Sequence, residues 1–299
     1  MNAPIALFAY KRAKELAQVI AALQANYLAA ESDLYVFVDG PRRPDDVSKV
    51  EEVRALVHTI TGFRSVQTFI SETNKGCANS IIGGVSQVLA THETVIVVED
   101  DIVTTPNFLD YINQALQTYK GNKQVFSIGG YSFPFEKPTD YPYDGYFIGR
   151  TCAWGWGIWA DRWEGVDWNV SDFAEFMQDT TQQRMFNRNG SDRVRMLRRT
   201  MQGEVDTWDI KLCYAQFKQG TYTLYPTVSK VSNIGFYSGD ENNTSVYNRY
   251  KTRVDEGAKR RFSFAQNAEE NRYYVGRFRE KFSVSVRAFN RLRTLVGLR

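Results

Sequence analysis

The sequence predicts an α/β fold in which a mostly parallel central sheet is flanked by helices and followed by a helical tail. Three observations lead there. Short apolar runs alternate with segments of helical spacing through the first two thirds of the chain. The run Val95-Ile96-Val97-Val98 is continuously apolar, as expected of a buried strand. The chain has 299 residues, 43% hydrophobic and 14% aromatic, enough for one large α/β domain or two small ones with a sizeable core.

The elements follow in order. Residues 3–10 form a first strand run, and 11–27 have helical spacing with Leu16, Ile20 and Leu23 on one face. A second buried strand, 34–38, ends at Asp39-Gly40-Pro41, which is turn chemistry. Residues 46–60 read as a helix, 63–70 as a third strand, 79–90 as a helix and 94–98 as a fourth strand. Pro106 suits the first position of the next helix, running to about residue 119. A fifth strand covers 125–128. The pattern then changes. Pro134, Pro138 and Pro142 punctuate an aromatic loop, followed by a segment holding Trp154, Trp156 and Trp159 with interleaved glycines. Helical patterns resume between 172 and 218, a short strand covers 221–225, and a polar loop spans 232–244.

Composition narrows the function. Cys77, Cys152 and Cys213 are odd in number and far apart, which argues for a reducing compartment. His58 and His92 are the only histidines, so no zinc cluster is expected. No stretch is long and apolar enough for a transmembrane helix, and the N-terminus carries no signal pattern. A cytoplasmic protein is expected, peripheral on the inner membrane face if the tail binds lipid. From Lys251 to Arg299 there are 13 basic and 5 acidic residues, a balance of +8, which leaves −5 for the rest of a chain whose total is +3. The body is acidic and carries no nucleic-acid recognition motif, so no nucleic-acid partner is expected. In the tail, Phe278, Phe282, Val286, Phe289, Leu292 and Val296 make one helical face among arginines. Two readings stay open: a helix packed on the body, or an interfacial helix on an anionic membrane surface.

Four strand ends bring polar residues to one edge. The first ends at Tyr10-Lys11-Arg12, the second at Asp39, the third leads into Glu72-Thr73-Asn74-Lys75-Gly76, and the fourth ends at Glu99-Asp100-Asp101. In open α/β sheets ligands bind outside the carboxyl ends of the strands. Carboxylates there suit Mg²⁺ or Mn²⁺, which in turn hold phosphate; the plainer reading is a solvated strand end before a helix. An Asp beyond a strand accepts from a nucleobase N–H or ribose hydroxyl, Arg12 suits a phosphate or base carbonyl, and Phe8 or Tyr10 can pack on a base. There is no G-x-G-x-x-G after the first strand and no P-loop, which disfavours dinucleotide dehydrogenases and ATPases. A second constellation, Glu204-Val-Asp206-Thr-Trp208-Asp209, opens a helix. Acids there complement the helix dipole, or serve as a general base over a sugar hydroxyl with Trp208 as an apolar wall. The Trp154-Gly155-Trp156 segment reads equally as core or as a sugar-stacking surface.

Taken together, LFAYKR, VFVDG, ETNKG, VVEDD, WGWG and VDTW, spread over residues 3–245, resemble a GT-A-fold, inverting nucleotide-sugar glycosyltransferase. The pattern is similar to bacterial family 2 enzymes and to the N-acetylglucosaminyltransferase I type. The resemblance implies a Rossmann-like domain over 1–250, its nucleotide-sugar half 1–130 and its acceptor half 131–250, followed by the tail 251–299. It implies Mn²⁺ or Mg²⁺ on Asp101, with Asp100 toward the ribose or a metal-bound water and Glu99 toward the donor sugar. Asp39 would hold uracil N–H with Arg12 nearby, Asn74, Lys75 and Gly76 would border the donor, and Asp206 would be the catalytic base with Asp209 as competitor. Trp154, Gly155, Trp156 and Trp208 would meet the acceptor or sugar. The partners implied are a nucleotide-sugar donor, UDP-linked, and a glycan or lipid-linked saccharide acceptor, in bacterial surface-polysaccharide synthesis. The late loop, Ser232-Asn233-Ile-Gly235-Phe236, lacks the family's histidine. A sugar-nucleotide nucleotidyltransferase would want a Gly-rich basic loop after the first strand, and a non-catalytic carbohydrate-binding protein would not need Asp39 and Arg12.

Overall fold

The five residues of β1 (Ile5–Ala9) are all buried, and they split by parity between two cores. Ile5, Leu7 and Ala9 face one hydrophobic cluster; Ala6 and Phe8 face another. This is the signature of a central strand with helices on both sides. β1 pairs in parallel with β2 (Asp33–Val38) and with β4 (Thr94–Glu99), and β2 pairs in parallel with β3 (Ser65–Ile70). The register sets Phe8 opposite both Phe37 and Glu99, so the carboxyl ends of β1, β2 and β4 lie level.

The structure is a computed structural model that describes residues 2–235, 248 and 250–295. Of the late loop, residues 236–244 lie outside the described residues, as does Val296 of the tail. One face of the sheet is covered by α1 (Ala13–Gln24), whose Leu16, Val19, Ile20 and Leu23 are buried, and by α4 (Phe108–Tyr119). α2 (Val47–Val57) adds Val53 and Val57 to the same core. The opposite face is covered by α3 (Cys77–Leu89), through Ile81, Val85 and Val88.

The sheet continues beyond β4 in the order β3-β2-β1-β4-β8-β6-β9-β7. β6 (Val125–Gly129) and β9 (Tyr222–Pro226) pair in parallel. β8 (Trp156–Trp159) lies antiparallel between β4 and β6, and β7 (Gly145–Ile148) is antiparallel on β9. β4, β6 and β9 therefore run the same way, and their carboxyl ends share one edge with β1 and β2. The mostly parallel sheet flanked by helices is the fold class the sequence predicts.

β8 corrects the sequence reading. The tryptophan-glycine segment is a central strand, with Trp156 0% and Trp159 2% exposed. Gly157 sits there because a Cβ would lie 2.8 Å from Ile112 and 3.2 Å from Leu116, where α4 crosses it. Two further strands, β5 (Ile102–Thr104) and β10 (Val231–Asn233), form a small antiparallel sheet just past β4. Pro106 is not the first helical residue; Asn107 precedes α4.

α5 (Ala160–Glu164) follows β8, and α6 (Phe173–Phe176), α7 (Thr180–Phe186), α8 (Arg193–Met201) and α9 (Asp209–Lys218) build a separate helical core around Phe186, Leu197 and Tyr214. The tail forms two helices, α10 (Arg272–Lys281) and α11 (Val284–Leu295). The chain after Tyr250 is fastened to the body rather than set apart from it. Asn107 donates to Asp255 at 3.0 Å, Tyr119 donates to the carbonyl of Ala265 at 2.5 Å, and the Lys230–Asp255 ion pair spans 2.5 Å. Among the described residues no helix is long and apolar enough to cross a membrane.

Candidate active site

β4 ends in Glu99, and Asp100 and Asp101 follow with 3% and 7% of their surfaces exposed. Buried carboxylates need partners. Arg12, at the end of β1, supplies one guanidinium for two of them. One of its terminal nitrogens donates to Asp100 Oδ1 and the other to Asp101 Oδ2 at 3.3 Å. The backbone N–H of Tyr10 donates to Asp100 Oδ2 at 3.2 Å. Asn233 of β10 donates to Asp101 Oδ2 at 3.2 Å, and the N–H of Ile234 donates to the Asp101 carbonyl at 2.9 Å.

These contacts do not neutralise the cluster. Burial pushes the Glu99 carboxyl well up, and the charges of Asp101 and Asp100 add to it. Burial also raises Asp100 against the opposing pull of Arg12. Asp101 is pushed up to about 6, again by burial first, against Arg12 and with Asp100 reinforcing it. Among the described residues the three carboxylates share one cation, so the protein holds them ionised only at a cost.

Lys11 does not make up the deficit. Its ammonium lies 2.7 Å from Asp46, which also accepts from the Tyr10 hydroxyl at 3.0 Å. Tyr10 in turn accepts from the N–H of Arg42 at 3.0 Å, so it belongs to a rim network at the ends of β1 and β2.

Asp39, just past β2, has its carboxylate fully engaged. It accepts from the N–H of Gly40 at 2.9 Å, Lys75 at 2.8 Å and Gly76 at 3.1 Å, and from the side-chain amide of Asn74 at 3.0 Å. These four donors use the four lone-pair directions of a carboxylate. Asp39 thus staples the 72–76 loop to the end of β2, with Arg12 directed to the triplet instead. Gly76 opens α3 with φ +80, a conformation open to glycine, and a Cβ there would stand 2.9 Å from Asp206 Oδ2.

That contact brings the segment leading into α9 to the 72–76 loop. Asp206 is exposed beside Gly76, and Asp209 in the first turn of α9 accepts from the Thr207 hydroxyl. The Cys77 thiol at the start of α3 is pushed far up, by desolvation first and then by Glu99, Asp206, Asp209 and Asp100. Asp206 lies against the 72–76 loop that Asp39 staples to the end of β2.

Three expected contacts are corrected. Phe8 is 6% exposed, stacked on Phe37 at 5.0 Å and packed against α3 at Gly84, so its ring is core. Trp156 and Trp208 are 0% and 3% exposed and stack on each other at 5.1 Å. A ring sealed in a core has no face for a sugar. Gly155 is a backbone device, with φ +57 and its carbonyl accepting from Gly130 at 2.6 Å. Trp154 differs: it is half-buried, edge-on to Tyr131 at 4.7 Å and to Tyr250 at 5.2 Å. A cavity of about 710 Å³ opens past the carboxyl ends of β6 and β9, lined by Phe133, Phe135, Thr227, Arg253, Asp255 and Lys259 among others. Asn233 is the residue that sequence reading missed. Its only signal was its place in the late loop, since a three-residue strand has no readable period.

Among the described residues no three His, Cys, Asp or Glu side chains form a ready-made metal cage. Mg²⁺ and Mn²⁺ do not require one: one or two carboxylates, waters and substrate phosphates are enough. Hard oxygens on Asp100 and Asp101, in a cluster with surplus negative charge, fit that mode.

No protein-family model matches the sequence, and no curated protein matches it. Among solved structures the chain is similar to S. aureus TarS in complex with UDP at 13% identity, over 48% of this chain and 39% of that chain, with a TM-score of 0.34. The mannosyltransferase PcManGT from Pyrobaculum calidifontis, in complex with GDP-Man and Mn²⁺, is matched at 9% identity over 73% of this chain and 70% of that chain, TM-score 0.42. An active-site mutant of LgtC is matched at 13% identity over 93% and 94% of the two chains, TM-score 0.42. The chain spans 39% and 41% of the first two TarS structures it matches. At these identities and scores the function rests on the site itself.

Proposed function

We propose that the protein is a metal-dependent glycosyltransferase that moves a sugar, with inversion, from a nucleoside diphosphate sugar to a hydroxyl of a glycan or lipid-linked saccharide. The donor on this reading is UDP-linked and the product belongs to surface polysaccharide. The observation that carries the proposal is the acidic triplet at the end of β4, under-neutralised among the described residues, with Asp206 against Gly76 of the neighbouring loop and Asp209 at the start of α9. The sequence resemblance adds to it.

In this mechanism Asp101, with Asp100 beside it, would hold Mn²⁺ or Mg²⁺, and the chemistry supplied there would be stabilisation of the negative charge that develops on the leaving group. The chain's own residues do the rest. Arg12 fixes the orientation of Asp100 and Asp101 from β1. The 72–76 loop, stapled by Asp39, borders the nucleotide, and a base N–H reaching Asp39 must displace one of its present donors. Asp206, exposed and unobstructed, takes the proton of the acceptor hydroxyl. The acceptor oxygen then bonds to the anomeric carbon as its bond to the diphosphate oxygen breaks on the opposite side, which inverts the configuration. Asp209 is the alternative base. Trp154 and the cavity beyond β6 and β9 are the acceptor side.

Calorimetric titration with UDP, GDP and UDP-sugars, each with Mn²⁺ and with EDTA, tests the reading. Metal-dependent binding that disappears in Asp101→Ala is expected. Asp206→Asn should bind donor and fail to transfer; full activity in that variant moves the base to Asp209. Absence of nucleotide binding under every condition refutes the proposal, and pyrophosphate release from UTP and a sugar phosphate would replace it with nucleotidyl transfer.

A further inference from the structure

The tail contains a helix built inside out. α10 is anchored in the ordinary way: Tyr274, Val275 and Phe278 are buried, and the Tyr274 ring stacks on Tyr146 at 3.7 Å. α11, its 12-residue continuation, has no buried residue. Val284 is 71% exposed, Phe289 54%, Leu292 58% and Leu295 75%. Its half-buried positions are Val286, Arg287, Asn290, Arg293 and Thr294. At 3.6 residues per turn, Val284, Ala288, Phe289, Leu292 and Leu295 share one face, and Arg287, Asn290 and Thr294 the other. The polar face is the one turned to the body, where Arg287 donates to the Ser191 hydroxyl at 2.9 Å. The apolar face looks outward. A surface helix of a soluble protein does the reverse.

We infer that this face docks the protein onto an anionic lipid bilayer surface. Charge selects that occupant. No acidic residue follows Glu280, whereas Lys281, Arg287, Arg291, Arg293 and Arg299 do. Arg291 and Arg293 border the apolar stripe on its two sides, and Phe289 and the leucines lie between them. At about 18 Å the helix is too short to span a bilayer. Lying in the interface, it would sink its apolar face among the acyl chains and leave its arginines at the headgroups. A second copy is a poor occupant, because a two-fold contact between α11 helices sets arginine against arginine. The inference stands apart from the chemistry of the crevice.

The experiment is flotation of the full chain with phosphatidylcholine vesicles, with and without phosphatidylglycerol. Binding is expected only to the anionic vesicles and should weaken as salt rises. Replacing Phe289, Leu292 and Leu295 together by Ser should lower partitioning by about tenfold or more. Arg291→Glu should lower it by at least about fivefold. Neither change should move the thermal midpoint, since the positions contribute to no core. Binding to neither vesicle, or equal binding by the serine variant, overturns the inference. So does a concentration-dependent dimer, seen by sedimentation, that the serine variant dissolves.

Discussion

Asp39 separates two roles that the sequence joins, and replacing it with Ala measures which one the carboxylate performs. The side chain is 8% exposed and accepts four hydrogen bonds, three of them from the backbone of Gly40, Lys75 and Gly76. A hydrogen bond to an ionised group contributes about 1.5–3 kcal/mol, and a buried donor left without a partner costs about 1–3 kcal/mol. Gly40 is buried, whereas Lys75 is exposed and can turn to water. The four losses therefore do not add in full, and a cost of about 2–4 kcal/mol is expected. For a chain of this length that is a fall of roughly 3–6 °C in melting temperature. Asp39→Asn should be little better. Either rotamer turns an NH₂ group toward two donors that now meet an oxygen. Both variants should lose UDP binding as well, because the 72–76 loop loses its staple. The assay pairs a melting curve with a UDP titration on each variant. An unchanged melting temperature together with lost binding would refute the argument and return Asp39 to direct recognition of the base.

Three further outcomes are expected. The raised carboxyl of Asp101 favours the protonated form in the folded state, so its contribution to stability is full below about pH 4 and is lost as pH rises through about 6; the difference in melting temperature between the metal-free protein and Asp101→Asn should shrink or reverse over that window, and a flat difference contradicts it. Trp156→Ala removes a fully buried ring and should cost about 3–5 kcal/mol in urea unfolding, whereas a stable variant with weakened sugar binding would return the residue to the site. Lys230, 3% exposed and paired with Asp255, should cost about 3–5 kcal/mol when changed to Met, and Lys230→Met with Asp255→Asn together should recover much of that loss in the same assay.

β1 and β4 are legible in the sequence to within a few residues, because a strand covered on both faces must be a continuous apolar run. IALFA and TVIVVE leave little else to read. β8 is not legible for the opposite reason. Its glycine is dictated by the close approach of α4, and nothing local to WGIW announces that helix. β5 and β10, three residues each, are too short to show a period. In the site, the residue types at the strand ends are legible and their partners are not. The sequence puts Arg12 near Asp39, but the register of β1 with β4 carries it to Asp100 and Asp101. Tryptophan composition suggests sugar contact, but whether a ring faces core or solvent depends on which strand it occupies. The tail's period is visible as one face, yet the break between α10 and α11 divides it into a buried part and an outward part.

The charge balance of the crevice constrains what it can bind more tightly than any single contact. Among the described residues Glu99, Asp100 and Asp101 meet one close cation, Arg12, and Asp206 and Asp209 add negative charge from the segment that leads into α9 and from its first turn. Lys11, the nearest further cation in sequence, is held by Asp46. A nucleoside diphosphate brought to this edge alone would add its own negative charge to a surplus, in a partly buried place where screening is weak. It can enter only with a countercharge. Protons supply one at low pH, where the diphosphate is also less charged; a divalent cation supplies one at neutral pH. On the proposed reading, metal dependence is therefore a consequence of the site's electrostatics rather than an added property. It follows that Asp101→Asn, which lowers the surplus by one charge, should weaken metal binding and at the same time ease the repulsion of metal-free UDP. Metal-free UDP binding that stays unchanged in that variant would refute the charge-balance argument and leave coordination as what Asp101 contributes.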